Sequence, residues 1–399
     1  MFSNVAVFGL GKYQQSGILE LKKKNFYIFG FDENKDPFSK KDVNQFLKVS
    51  FSNYKKIELI CKKNNIKYLF AFSTDAPLNL IATLNKNLDL KGYKKECVDL
   101  VIDKIKLRKF FTNSMNLLNP SYFHLDNSKK FSKIFFSNLK TSFVCKPNIG
   151  SGSRGVFMFK NYKEFLRLFK INQLYYRGKK ILVEKFINGK EYAVEGWIYK
   201  NKFVFGCLSK KNRTKPPYLL DTSLIINFED IKIKKKIENF FRVFIKKSKI
   251  NNVPIHFEFL INNNDIVPVD IAIRGAGFGV YSNILSKIMN QSTNDILIKL
   301  IMNEKIQFNK PNKKKFFLSF LFSKKNGYFK GVKNIQKLIS LRSFVEIELY
   351  KKINSKISSL KNGSNRIGHF ILEGPKKIVD KDIFLSRKLV KAKVSNERI

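Results

Sequence analysis

Apolar residues in this chain fall in short runs separated by amphipathic stretches, and the alternation predicts strands between helices. Val5 to Phe8 is a buried-strand run, and after Gly9 and Gly11 an apolar helical pattern begins at Ile18. Phe26 to Phe31 predicts a second strand ending at Asp32, Ile57 to Asn64 a helix, and Lys67 to Phe72 a third strand running into Ser73, Thr74 and Asp75. Such alternation implies a parallel sheet with right-handed crossovers, with any ligand at the carboxyl ends of its strands. Residues 103–110 read as a helix start with Asp103 as N-cap. Phe143 to Cys145 predicts a strand that delivers Lys146 and stops at Pro147, and alternation resumes from Val156 to Phe159. A helix around Lys163 to Phe169 follows, then a strand Ile181 to Val183, an Asn188-Gly189 turn and a strand Tyr192 to Tyr199. His256 to Ile261 and Ile266 to Arg274 form a β-hairpin around Asn262 to Asp265. Phe317 to Phe322 and Val345 to Tyr350 are later strands.

Composition changes this picture little. A length of 399 residues suits two or three domains, and 44% hydrophobic content is ordinary for a globular chain. Lys+Arg 77 against Asp+Glu 31 gives a net charge of +46, which raises nucleic acid or an anionic membrane as partners. The lysines are spread from end to end and no aromatic-platform motif accompanies them, so neither partner is expected. Arginine is scarce beside lysine, and its survival marks places that need a planar two-pronged donor. Arg154, Arg274 and Arg366 all sit in glycine-flanked loops. Four cysteines without paired spacing, no transmembrane-length run and no signal-peptide pattern point to a reduced, cytoplasmic setting.

Candidate chemistry clusters in the middle of the chain. The segment Phe143–Val156, FVCKPNIGSGSRGV, is strand, Gly/Ser loop, strand, with Lys146 at the exit of the first strand. Glycines let backbone N–H groups approach an anion, and serines and lysine add donors and charge, which suits a polyphosphate. The order is not that of a Walker loop, and a hairpin turn that binds nothing has the same composition. Gly9-Leu10-Gly11 falls short of a dinucleotide fingerprint because the next glycine is Gly17, so a tight turn beside a substrate is expected. Lys104 opposes the helix dipole at its own N-terminus, which makes sense if it serves a ligand; the plain alternative is a solvated lysine. Glu184 and Glu191 flank a short connector able to serve two ends of a nucleoside, or else belong to an ordinary hairpin. With a loop over 263–265, period two sets Glu258 opposite Asp270 with Arg274 farther along the same face. Two facing carboxylates repel unless a cation lies between them, and Mg2+ (or Mn2+) takes such oxygens together with phosphates. His256 shares that face and is the one candidate general base.

The order of these pieces resembles the ATP-grasp superfamily over Asp103 to Glu304. The resemblance implies ATP held by Lys104, Lys146, the loop residues Ser151, Gly152 and Ser153, Glu184 with the backbone of Phe186 and Ile187 at adenine, and Glu191 at the ribose. It implies Mg2+ at Glu258 and Asp270, with Arg274 and Lys146 at the reacting groups. The first hundred residues, with Thr74-Asp75, resemble the α/β domain that precedes such modules. The segment Ser364-Asn365-Arg366-Ile367-Gly368-His369 resembles the close of L-amino-acid ligases. The implied fold is α/β in three parts: an open parallel domain over 1–102, a two-lobed ATP-grasp module over 103–310 and a small α+β domain over 311–399. The implied activity is Mg-dependent ligation of a small-molecule carboxylate to an amine through an acyl phosphate; a homodimer is compatible with this reading, and the sequence leaves the oligomeric state open. Two departures stand out: Asp270 where Glu is common, and Ala272 where an asparagine usually helps hold a second metal. They leave a non-catalytic ATP-binding protein as the alternative.

Overall fold

The structure, a computed structural model, describes residues 3–115, 119–126 and 141–397. The N-terminal part is a four-stranded parallel sheet of β1 (Asn4–Phe8), β2 (Tyr27–Asp32), β3 (Gln45–Lys48) and β4 (Tyr68–Phe70), ordered β3-β2-β1-β4. β1, β2 and β4 were legible because their residues are buried in runs. β3 is an edge strand of half-exposed residues, with no apolar run to announce it. Gly9, at φ +88°, turns the chain at the carboxyl end of β1, and Asp32 accepts the Leu10 N–H at 2.8 Å to hold that turn.

The second sheet is a small antiparallel lobe of β5 (Tyr122–Leu125), β6 (Phe143–Pro147), β7 (Phe157–Phe159) and β8 (Ile181–Lys185), ordered β5-β8-β6-β7. The helix Tyr162–Asn172 covers it, and Phe157, Phe159, Phe165, Leu168 and Tyr176 make its separate core.

The third sheet has eight strands. It contains β9 (Lys190–Tyr199), β10 (Lys202–Arg213), β11 (Asp221–Ile226), β12 (Val253–Asn262), β13 (Asp265–Ala272) and β14 (Lys315–Leu321), then β16 (Phe344–Leu349) and β18 (Gly368–Gly374). The order is β13-β12-β9-β10-β11-β14-β18-β16, so β11 pairs directly with β14 and the sheet runs across residue 310 unbroken. The remaining strands β15 (Gly327–Lys333), β17 (Lys356–Ile357) and β19 (Lys391–Ser395) form a small sheet beside it.

β8 and β9 lie in different sheets, so residues 186–189 are a bridge between lobes and the expected turn at Asn188-Gly189 does not form. A hairpin reading of that segment is therefore excluded. The β12–β13 hairpin does form, on a two-residue turn with Asn263 at φ 45° and Asn264 at φ 70°. That turn alone would set Glu258 opposite residue 269. A β-bulge between Glu258 and Phe259 restores the Glu258–Asp270 pairing, so the expected partners meet by a different route.

One face of the large sheet packs on the helix Ile231–Ser248. Ile255, Phe257 and Phe259 point into that core, which is continuous with the core of the N-terminal sheet. The helix Lys104–Met115 joins the two, with Phe111 against Phe240. Period two then forces the residues between them, His256 and Glu258, onto the opposite face. No helix among the described residues is long and apolar enough to cross a membrane.

Candidate functional site

The free face of β9, β10, β12 and β13 carries an unusual density of charge for a chain poor in acid. Glu191, Glu195, Lys211, Arg213, His256, Glu258 and Asp270 all project there. The small lobe and the loop after β6 stand over it, and the carboxyl ends of the N-terminal strands meet its edge.

The loop begins clamped to the start of the helix Lys104–Met115. Asp103 caps that helix, accepting the N–H groups of Ile105 at 2.9 Å and Lys106 at 3.2 Å. Its other oxygen accepts from Asn148 Nδ2 at 3.2 Å, and Lys104 N–H donates to the Asn148 carbonyl at 2.9 Å. Lys104 Nζ then bridges two predicted features, lying 3.1 Å from the Gly150 carbonyl and 3.0 Å from Asp270 Oδ2. Burial works against its charge, but Asp270 and Asp75 outweigh it and hold its pKa above the ordinary value. Gly152, Ser153 and Gly155 take φ values of 67°, 54° and 80°, so the loop backbone turns through the left-handed region. The Tyr176 hydroxyl donates to the Gly155 carbonyl and so pins the end of the loop to the lobe's core. On its outer side the loop docks on the C-terminal part, where Gly363 N–H donates to the Gly152 carbonyl at 3.3 Å and Asn362 Nδ2 donates to the Tyr175 hydroxyl at 3.1 Å.

Lys146 is diagonal to Glu184 across β6 and β8, and its Nζ lies 2.7 Å from Glu184 Oε2. Burial lowers the Lys146 pKa. The other Glu184 oxygen accepts from Arg108 Nε. Burial would raise the Glu184 pKa, yet the two cations hold it below the usual carboxylate value. Both oxygens of Glu184 are thus engaged inside the protein, on Lys146 and on Arg108. At the connector, Phe186 N–H donates to the Ser142 carbonyl at 2.8 Å, and the side chains of Phe186 and Ile187 are half-buried.

Glu191 faces Lys211 Nζ at 2.9 Å and Arg213. Lys211 also reaches Asp221 at 3.1 Å and Glu258, so one buried ammonium holds three carboxylates. Burial opposes that charge, but the carboxylates raise the Lys211 pKa. Burial likewise works against Glu258, but Lys211 and His256 hold its carboxyl well below the ordinary value. His256 shares its Nδ1 proton with Glu195, and the surrounding acids lift its pKa to about 10 against the effect of burial. These contacts favour the imidazolium form, which counts against His256 as a general base. Arg274 Nε lies 2.6 Å from Asp75 Oδ1, tying the large sheet to the end of β4.

The residues singled out in the sequence therefore converge, and four that matter were missed. Glu195, Lys211 and Arg213 resemble dozens of other charged residues in the sequence. Arg108 carried a signal, the scarcity of arginine, but it lies on a helix face and not in a glycine-flanked loop.

Residues 139–282 match the ATP-grasp domain family. The chain is 26% identical over 108 residues to a D-alanine–D-alanine ligase of Helicobacter pylori, covering 27% of this chain and 30% of that protein. A second strain's ligase is 24% identical over 147 residues, 37% of this chain and 38% of the relative. The chain thus spans about a third of the length of the curated relatives it matches. Solved structures match it almost throughout. An L-amino acid ligase from Bacillus licheniformis superposes with a TM-score of 0.82 at 14% identity, over 99% of each chain. An N5-carboxyaminoimidazole synthetase from Staphylococcus aureus complexed with ADP gives 0.72 at 15% identity, over 96% of each. A glycine loop clamped over a sheet face of cations and carboxylates, a family match across that segment, and the same fold from end to end lead to one conclusion: residues 139–282 of this chain match an ATP-grasp domain, set in a fold shared with these solved structures.

Proposed function

We propose that this protein is an ATP-dependent ligase that activates a carboxylate as an acyl phosphate and couples it to an amine. The observation that carries the reading is Lys104, whose ammonium touches both the glycine loop and Asp270. The loop that would cover the triphosphate and the carboxylate that would hold its metal therefore meet at one cation.

In the proposed reaction a substrate carboxylate oxygen attacks the γ-phosphorus of ATP. The bond from that phosphorus to the β,γ-bridging oxygen breaks, and ADP leaves. The amine then attacks the acyl carbon, the bond from that carbon to the phosphate oxygen breaks, and the departing inorganic phosphate takes up the proton that the nitrogen loses. Lys104, Lys146 and Arg274 offset the charge that spreads over the transferred group. Glu184 and Arg108 keep Lys146 in place, and Glu191 and Arg213 border the nucleotide's sugar side. The closed loop excludes water that would hydrolyse the acyl phosphate.

Among the described residues no three His, Cys, Asp or Glu side chains group to hold a metal alone. Glu258 and Asp270, a direct cross-strand pair, nonetheless fit Mg2+, which completes its shell with phosphate oxygens and water. Bound there, Mg2+ would neutralise the β- and γ-phosphate oxygens. Ala272 lies opposite His256 and supplies no oxygen for a second metal, which is the observation favouring a nucleotide-binding protein without ligase chemistry.

ADP release measured with a panel of acids and amines separates the two readings. Turnover that needs both substrates, and disappears in Lys146→Met, supports the ligase. Arg108 still neutralises Glu184 in that variant, so it should remain folded. Tight Mg·ATP binding with no turnover for any pair refutes the ligase reading.

A further inference from the structure

A cavity of about 350 Å3 opens beneath the glycine loop, between the N-terminal sheet and the C-terminal part. Gly152 and Arg154 form one wall, and Tyr13, Phe278, Tyr350 and Arg366 line the rest. We infer that this cavity seats the acid substrate, and that the acid carries an aromatic body. The inference rests on the ligase reading for what happens to the acid, but not for whether it binds.

Arg366 is the anion receptor. It is 6% exposed, and its guanidinium stacks on Phe320 at 3.5 Å from the ring centroid and lies 5.0 Å from that of Phe278. Nη2 donates to the Asp221 carbonyl at 2.9 Å, while Nε has no partner. Among the described residues no carboxylate lies within ion-pairing distance of it. A buried guanidinium without a matching anion is costly unless a ligand supplies one. Two other cations line the cavity, Arg154 and the half-buried Lys351; Arg154 folds back on its own loop through Ser151, with Nε to the carbonyl at 3.1 Å and Nη2 to Oγ at 3.3 Å.

The walls select the rest of the molecule. Phe278 sits at φ 55°, a conformation that is a clear outlier for a bulky side chain and is kept where the surrounding structure requires it. Its ring meets Tyr13 edge-on at 5.8 Å and Tyr350 at 6.3 Å, making an aromatic corner. The hydroxyl of Tyr13 lies 3.3 Å from that of Tyr350, which in turn lies 2.6 Å from His369 Nδ1. With the hydroxyls occupied, the rings are left as apolar surface. Glu348, at the same rim, is neutralised by Lys12 at 2.8 Å and does not repel an incoming carboxylate. A flat apolar body with a carboxylate at one end satisfies both the corner and Arg366.

The test is calorimetric binding of 3-phenylpropanoate, L-phenylalanine, L-alanine and acetate to the full chain without nucleotide, alongside ADP release with the same acids. Both aromatic acids should bind about tenfold or more tightly than alanine or acetate. Arg366→Lys should weaken them by about tenfold through loss of the planar fork. Phe278→Asn, which accepts the left-handed backbone but removes the ring, should abolish the aromatic preference. Alanine or acetate binding as well as the aromatic acids, or aromatic binding indifferent to Arg366→Lys, overturns the assignment even if ADP is released. Aromatic binding that depends on Arg366 upholds it even if ATP turnover fails and the ligase reading falls.

Discussion

Arg108 offers the sharpest test of how the site is held together. It is 3% exposed and ties its own helix to two strands, with Nε to Glu184 on β8, Nη1 to the Pro268 carbonyl on β13 at 2.6 Å, and Nη2 to the Val269 carbonyl beside it at 3.1 Å. The last two carbonyls belong to the bulge that sets Asp270 opposite Glu258. Arg108→Met leaves Lys146 as the only cation on a buried carboxylate and strips both bulge carbonyls of a donor. Breaking a buried charge pair costs about 3–5 kcal/mol. Each orphaned carbonyl is worth about 1–3 kcal/mol. These contributions share partners and do not add, so the expected loss is about 3–5 kcal/mol, concentrated at β8 and residues 268–272. The chain has several separate cores, so a single unfolding free energy is ill defined and native-state hydrogen exchange is the proper assay. Amides of those two segments should lose protection while those of β1 and β2 keep theirs, and Mg-dependent nucleotide affinity should fall with them. Arg108→Lys should be intermediate, because one ammonium cannot span Glu184 and both carbonyls. Protection within about 1 kcal/mol of wild type at both segments in Arg108→Met would refute the claim that this residue sets the register.

Other consequences are simpler to measure. Glu184 has a folded pKa below its unfolded value of about 4.3, so it contributes stability above that pH and loses it as pH falls through the folded value. Wild type should therefore lose stability below about pH 4 more steeply than Glu184→Gln, and equal acid slopes would contradict the pairing. All four cysteines are buried, and burial lifts the Cys61 and Cys145 thiols to about 12. Native protein should resist iodoacetamide at pH 8 until denatured, and stoichiometric labelling of the folded chain would show the cores to be open. Tyr176→Phe removes the donor to the Gly155 carbonyl and should weaken Mg·ATP binding by about threefold to tenfold with the fold intact. Unchanged affinity would mean the end of the loop does not need that anchor.

Much of this protein was determined by local pattern. Runs such as Val5–Phe8 and the alternation of His256 to Ile261 specify strands because burial on one or both faces imposes a period that the residues themselves display. Lys146 before a Gly/Ser loop was legible for the same reason, and so was the shared face of Glu258 and His256; that Glu258 meets Asp270 followed from a bulge and not from the loop length the sequence suggested. Tertiary structure decided what no window of sequence contains. The bridge at 186–189 looks like a hairpin until β8 and β9 join different sheets. The bulge that corrects the β12–β13 register turns its carbonyls onto an arginine some 160 residues earlier in the chain. Lys211 is one lysine among many until folding surrounds it with Glu191, Asp221 and Glu258. Charge acquires meaning only through its neighbours in space, and neighbours that distant along the chain are brought together by the packing of whole sheets.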